Sequence, residues 1–242
     1  MKQLIRNVVL FSFLMLIVSP LAAQEIPPWR GNLELSFVET SGNTNAETLV
    51  VAGKAERTFE ASKLWGEVRA LYGKSEGVTS DKNWIGILKY DRNITEQTYG
   101  FLSQTVERNT PKGIEARYIT LTGLGRYFIK TAADTLRAEA GLGYTRENQV
   151  RPLDDNGFAT ARLFGGYIHA FTEKTRFEQT AEYTPSLQEP KDYLINEESA
   201  FITNLMGNLA FKISYAVLYD NRPPVGFGKY DRLFKTALLY TF

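Results

Sequence analysis

The chain of 242 residues contains no cysteine and a single histidine, His169. Without thiols there are no disulfides, no thiolate metal centre, no cysteine nucleophile and no lipid-modified N-terminal Cys. One histidine without cysteine leaves little from which to build a zinc site, so no metal and no cofactor are expected. An excess of one charge is missing too. The 28 Lys and Arg face 27 Asp and Glu, for a net charge of +1, which provides no basic field for nucleic acid. Long apolar runs are equally scarce. The longest, Val8 to Val18, is too short to span a bilayer comfortably.

That run has the form of an export signal. Lys2 and Arg6 precede it, Ser19-Pro20 breaks it, and Leu21-Ala22-Ala23 offers small residues for cleavage before Gln24. Removing residues 1–23 takes away two cations and no anions, leaving 26 against 27 and a net charge of −1. Beyond it no run approaches the roughly 18 residues of a transmembrane helix.

What the remaining chain has in abundance is alternation. Leu33, Leu35 and Phe37 share one face, with Asn32, Glu34 and Ser36 on the other. Leu136, Ala138, Ala140, Leu142 and Tyr144 oppose Arg137, Glu139, Gly141, Thr145 and Glu147. Phe211, Ile213, Tyr215, Val217 and Tyr219 oppose Lys212, Ser214 and Asp220. Residues i and i+2 share a face only in a strand. About twelve such segments follow: 29–40, 47–58, 63–74, 83–92, 97–108, 114–129, 136–147, 158–170, 175–184, 199–206, 209–220 and 230–242. Most are ten residues or longer, beyond the roughly five to six of soluble strands and suited to tilted membrane-spanning ones.

The joins alternate as well. Those around 59–61, 93–95, 131–133, 172–173 and 207–208 are tight. Most of the others, 75–82, 148–157, 185–198 and 221–229, are long or rich in breakers. Outer-membrane barrels place short turns on the periplasmic side and long loops outside. In that orientation Tyr72, Trp84, Tyr144, Tyr183, Tyr219 and Tyr230 form an outer aromatic belt. Trp29, Tyr90, Tyr99, Tyr127, Tyr167, Phe177, Phe211, Tyr240 and Phe242 form a periplasmic one. At the terminus, Phe234, Leu238, Tyr240 and Phe242 occupy alternate positions. This pattern resembles the C-terminal assembly signal by which bacterial outer-membrane barrels are recognised for insertion.

Three further stretches carry a family resemblance: Ser41-Gly42-Asn43-Thr44-Asn45 followed by Glu47-Thr48-Leu49; the glycine pairs Gly123-Leu124-Gly125 and Gly141-Leu142-Gly143-Tyr144; and Tyr219-Asp220-Asn221-Arg222-Pro223-Pro224. Together they resemble the YdiY-like, salt-induced outer-membrane proteins, a family catalogued as a domain of unknown function. The resemblance covers essentially the whole chain after residue 23. It implies a bacterial outer-membrane barrel with a link to salt or osmotic response, and it supplies no catalytic residues.

Strand parity assigns to the lumen Arg30, Glu34, Lys54, Glu56, Glu67, Arg69, Lys89, Asp91, Arg126, Arg137, Glu139, Arg162, Arg176, Glu178, Glu182, Lys212 and Asp220. Charges of this kind face acyl chains only at a cost of about 2–4 kcal/mol for a midplane Arg or Lys. Their signs are mixed. Two readings stand side by side: a narrow aqueous passage for small solutes, or a lumen closed by cross-strand ion pairs. Other motifs carry less. The Gly-x-Gly pairs lack the strand–helix setting of a dinucleotide site and are expected to relieve crowding in the wall. His169 shares the parity of Leu163, Gly165 and Tyr167, which places it at the lipid side rather than in a serine–histidine dyad. Asp154-Asp155-Asn156-Gly157 lacks the Glu of a calcium loop and reads as a loop tip, and Pro223-Pro224 with Gly226 and Gly228 as a stiff loop.

The expected protein is an all-β, antiparallel, up-and-down transmembrane barrel of about twelve strands over residues 24–242. It would be exported to the outer membrane by a cleaved signal and inserted by the barrel-assembly machinery. It would stand as a monomer among membrane lipid and lipopolysaccharide. The expected function is a small-solute channel or an envelope-integrity protein. A lipid-modifying hydrolase and a soluble periplasmic β protein are the competing classes.

Overall fold

The computed structural model describes residues 29–42, 46–75, 78–110, 113–149, 155–223, 226 and 228–242. The expected export segment lies outside them. The strands are β1 Arg30–Gly42, β2 Ala46–Thr58, β3 Ser62–Ser75, β4 Val78–Asn93, β5 Thr98–Asn109, β6 Ile114–Lys130, β7 Asp134–Gln149, β8 Asp155–Ala170, β9 Thr175–Pro185, β10 Tyr193–Met206, β11 Leu209–Asp220 and β12 Tyr230–Thr241. Each pairs antiparallel with its sequence neighbours, and β1 pairs with β12, so the sheet closes into a barrel. Closure leaves no strand edge and satisfies the backbone ladder internally, as lipid requires.

The alternation determines which face is which. In β1, Leu33, Leu35 and Phe37 are about half exposed, whereas Ser36 and Val38 between them are 1% exposed. The outward face therefore presents large apolar side chains, and the polar and small ones turn into the barrel. Phe234, Leu238, Tyr240 and Phe242 all lie outward on or beside β12, each about half exposed. At the seam, Gly31 and Phe242 exchange two backbone hydrogen bonds of 3.0 Å. A Cβ on Gly31 would stand 2.7 Å from the Phe242 ring, so glycine lets the last ring cover the start of β1.

Three of the tight joins share one device. Thr95 Oγ1 accepts from the backbone N–H of Thr98 at 3.0 Å, Thr131 Oγ1 from that of Asp134 at 2.9 Å, and Thr172 Oγ1 from that of Thr175 at 3.0 Å. Each threonine hydroxyl satisfies a turn N–H that the ladder cannot reach. The Gly207-Asn208 join is a two-residue turn with Gly207 at φ +52°, and a register shift between Asn204 and Met206 lets it close.

Several long joins come out shorter than expected. Ser75 pairs with Val78, so the hairpin of β3 and β4 continues through most of 75–82. Asp155, Asn156 and Gly157 belong to β8 rather than to a loop tip. Strand β10 begins at Tyr193, which converts half of the expected 185–198 loop into wall.

Candidate functional site: the charged lumen

The inward face is organised around carboxylates that collect cations. The most buried is Glu139 on β7, whose side chain is 1% exposed. Its Oε1 accepts from Lys89 Nζ at 2.5 Å and from the Tyr99 hydroxyl at 2.6 Å. Its Oε2 accepts from Arg162 Nη1 at 2.5 Å, and Arg137 stands 3.6 Å away. The network continues through Arg162 Nε to Glu182 at 2.6 Å and through Lys89 to Asp91 at 3.2 Å.

Lys89 belongs to β4 and reaches past β5 and β6 to find Glu139. Glycines make that reach feasible. A Cβ on Gly125 would stand 2.3 Å from the Tyr99 ring, and one on Gly141 2.9 Å from the Phe101 ring. These rings therefore lie flat on bare backbone, and the cations lie on the rings. Lys89 Nζ is 4.7 Å from the Phe101 centroid, and the Arg162 guanidinium is 4.7 Å from that of Phe164. Cation–π attraction of this kind strengthens as water is removed.

A second hub, Glu198 on β10, faces the first from the other part of the wall. It receives Lys235 at 2.9 Å and Lys212 at 3.1 Å, and Lys212 lies 3.8 Å from Glu34 on β1. Arg69 on β3 pairs with Glu67 and also feels the charges of Glu198 and Glu34, so this cluster reaches across the barrel. Beneath it, Ile202, Ala210, Ala237 and Leu239 form a small buried apolar cluster.

The two ends of the barrel hold separate pairs. Arg117 on β6 donates to Glu147 at 2.6 Å and Glu107 at 3.3 Å near the loop end. In the loop between β9 and β10, burial raises the Asp192 carboxyl above its ordinary range, and the charges of Asp220 and Glu147 raise it further. At the turn end, Lys63 pairs with Glu56 at 2.8 Å, Arg176 with Glu178 at 2.6 Å, and Lys54 lies over the Trp65 ring. Arg30 occupies the register position opposite Glu56.

The residues assigned by parity thus mostly meet one another. Arg126 is the exception and corrects the parity reading of β6. It is paired with Thr98 in the register and hydrogen-bonded to Gln97 at 3.3 Å, on the outward face at the turn end. Gly125 and Tyr127 beside it take the inward positions. Tyr99 and Tyr127 are corrected in the opposite sense. Both point inward with ring centroids 5.5 Å apart, and neither belongs to the lipid belt. Parity places Glu147 on the polar face of β7, but it overlooks Glu107, Arg117, Glu198 and Lys235. The alternation of Leu233, Lys235, Ala237 and Leu239 would have found the last of these.

His169 lies on the outward face with Nδ1 2.8 Å from Asp134 Oδ1, and the Tyr167 hydroxyl donates to the same oxygen at 2.6 Å. Its ring also meets those of Phe171 and Tyr167, with centroids 4.6 and 6.5 Å away. Among the described residues its hydrogen-bond partner is the Asp134 carboxylate, and no serine hydroxyl is bonded to it.

Several inward positions are as closed as a soluble core. Thr160 is 0% exposed, Ser214 2% and Ala200 3%. Other inward side chains keep contact with water: Glu182 is 29% exposed, Arg137 31% and Arg69 40%.

A family described as a protein of unknown function, DUF481, matches residues 33–242. The chain belongs to the DUF481 family. It is 25% identical over 209 residues to the uncharacterized protein YdiY of Escherichia coli strain K12, covering 81% of this chain and 76% of that one. Among solved structures, this DUF481 barrel superposes on the NanC porin with a TM-score of 0.61, at 9% identity, over 87% of this chain and 100% of that one. A KdgM porin gives 0.51 at 10% identity, over 87% and 99%. At such identities the likeness is one of fold: a porin-type, closed antiparallel barrel.

Proposed function

We propose that this DUF481 protein resides in the bacterial outer membrane as an envelope-integrity barrel whose lumen is shut by its own ion pairs at rest. The supporting observation is the self-pairing of inward charge around Glu139 and Glu198. A passage selective for ions of one sign would be lined with charge of the opposite sign. Here each cation of the two hubs lies against a carboxylate of the same wall. The exterior supports the location, since it offers lipid a belt of large apolar side chains bounded by aromatic rings. We further propose export by cleavage after Ala23, insertion by the barrel-assembly machinery through the Phe234–Phe242 pattern, and a non-enzymatic role.

A small-solute channel is the second reading, favoured by the porin-type fold. A KdgM porin structure is described in complex with an oligogalacturonate, and a DUF481 barrel of the same architecture could pass a small solute if its hubs parted. Planar-bilayer recording of the refolded protein separates the two. The closed barrel gives no single-channel steps in the parent protein and gives steps once the paired variant Lys89→Gln/Glu139→Gln loosens the plug without changing net charge. Regular steps from the parent protein would establish the channel instead. The salt link rests on family resemblance, and growth of a deletion strain on high salt tests it.

A further inference from the structure

The outward face of β9 to β12 differs from the rest of the exterior. Near the loop end four tyrosine rings run in an unbroken row, with centroid spacings of 5.5 Å (Tyr183–Tyr193), 5.8 Å (Tyr193–Tyr219) and 4.6 Å (Tyr219–Tyr230). Nearer the turns, Phe201 stacks with Phe177 and Phe171 at 5.0 and 6.1 Å. Aromatic rows mark the levels at which acyl chains give way to headgroups and water. Between the two rows stands a polar set: Gln179 Nε2 donates to Glu197 Oε1 at 2.9 Å, and Ser199 Oγ donates to Gln179 Oε1. Glu197 is exposed, and the register places it two residues, about 7 Å along the strand, from the level of Tyr183 and Tyr219 and four residues from Phe201. A carboxylate there finds no cation in lipid. Elsewhere on the exterior, the Gln104–Thr120 hydrogen bond of β5 and β6 is the uncharged counterpart.

The complement to Glu197 is on the same face. Val217 on β11 is opposite Glu197 in one register and opposite Arg232 of β12 in the next. Arg232 is exposed and outward. Glu197 and Arg232 therefore flank Val217 at two strand spacings, about 10 Å apart. A two-fold rotation about the membrane normal beside Val217 carries Glu197 of each copy to the Arg232 side of the other, with a depth offset of about 6 Å from strand tilt that an arginine side chain spans, which is the self-complementarity a closed dimer requires. We propose that this face joins two copies of the chain in the membrane, through two symmetric Glu197–Arg232 pairs around Val217. The monomer expected from sequence gives way to a dimer in which each Glu197 gains a cation. Glu39 on β1, beyond Arg232, lies outside the two-fold pairing.

The absence of native cysteine makes the test direct. Val217→Cys, treated in intact outer membranes with a short bis-maleimide, is expected to give a covalent dimer, and Leu102→Cys on the far side of the barrel is not. In the Val217→Cys background, Glu197→Arg or Arg232→Glu is expected to lower the cross-linked fraction about tenfold or more, because like charges then face each other. The combined exchange is expected to restore it, while Glu39→Gln leaves it unchanged. Heat-modifiable migration on gels confirms that each variant has formed its barrel. Equal cross-linking at Val217→Cys and Leu102→Cys, no cross-linking at either, or a double exchange that fails to recover the dimer would overturn the proposal.

Discussion

The wall from β4 to β9 and the wall from β10 through β12 to β2 are built from the same alternating pattern, yet they arrange their inward charge differently. The first lays aromatic rings on glycines and cations on the rings, so that Glu139 is enclosed by Lys89, Arg162, Arg137 and Tyr99. The second carries small inward residues such as Ser36, Ala200, Ala216 and Ala237 and spans the gap with lysine side chains that meet at Glu198. Glu139 has a 1% exposed side chain, whereas Glu198 has a 27% exposed one. The acceptor of the first hub is thus dry and that of the second partly wet. Burial of the acceptor determines how much is lost when a partner is removed.

The sharpest test of that difference is to delete each hub in turn. Glu139→Ala leaves Arg137 without a carboxylate, and Lys89 and Arg162 with only Asp91 and Glu182; it is expected to cost about 3–5 kcal/mol. Glu198→Ala releases two lysines that can reach water, for about 1–3 kcal/mol. Urea unfolding in lipid vesicles measures both, and equal losses would erase the distinction between the walls. A smaller effect separates the glycines. Gly125→Ala drives a methyl into the Tyr99 ring and is expected to cost about 1–3 kcal/mol, as well as parting Tyr99 from Glu139. In the other wall, a Cβ on Gly53 meets only Leu33, at 3.5 Å. Gly53→Ala is therefore expected to be neutral or to gain about 0.4–1 kcal/mol from the unfolded chain.

The smallest expected effect is one of pH. Because the folded-state pKa of Asp192 lies above its ordinary 3.8, the folded protein holds that proton more tightly than the unfolded chain does. This group's contribution is therefore most favourable at low pH and is lost as pH rises from about that value through the folded pKa. Asp192→Asn, which leaves the backbone bonds to Ser186 and Glu189 in place, should flatten the pH dependence of stability across that window. A profile unchanged by the substitution would show that Asp192 does not titrate there.

The fold was legible because period-two alternation survives in most strands, and a strand has no other way to sort Leu33, Leu35 and Phe37 from Glu34 and Ser36. Parity failed where a strand end offered little pattern. Asn196-Glu197-Glu198-Ser199 reads as loop because acids occupy both faces, and only the neighbouring register reveals that one faces the lumen and the other lipid. Arg126 and Tyr127 exchanged faces for a similar reason: either residue suits a barrel rim, and the choice is made by Gly125 yielding its space to Tyr99. The pairings themselves were beyond reach. Nothing local in the sequence tells Lys89 that its carboxylate lies three strands away.

The seam between Gly31 and Phe242 has a consequence for how such a barrel comes into being. Every other pair of neighbouring strands can form as a local hairpin, but β1 and β12 lie about two hundred residues apart along the chain, and their ladder is the last that can be completed. Until then the growing sheet has two raw edges, each able to pair with any other exposed strand. Safe assembly therefore requires those edges to stay covered until the first and last strands meet each other, before either meets a stranger.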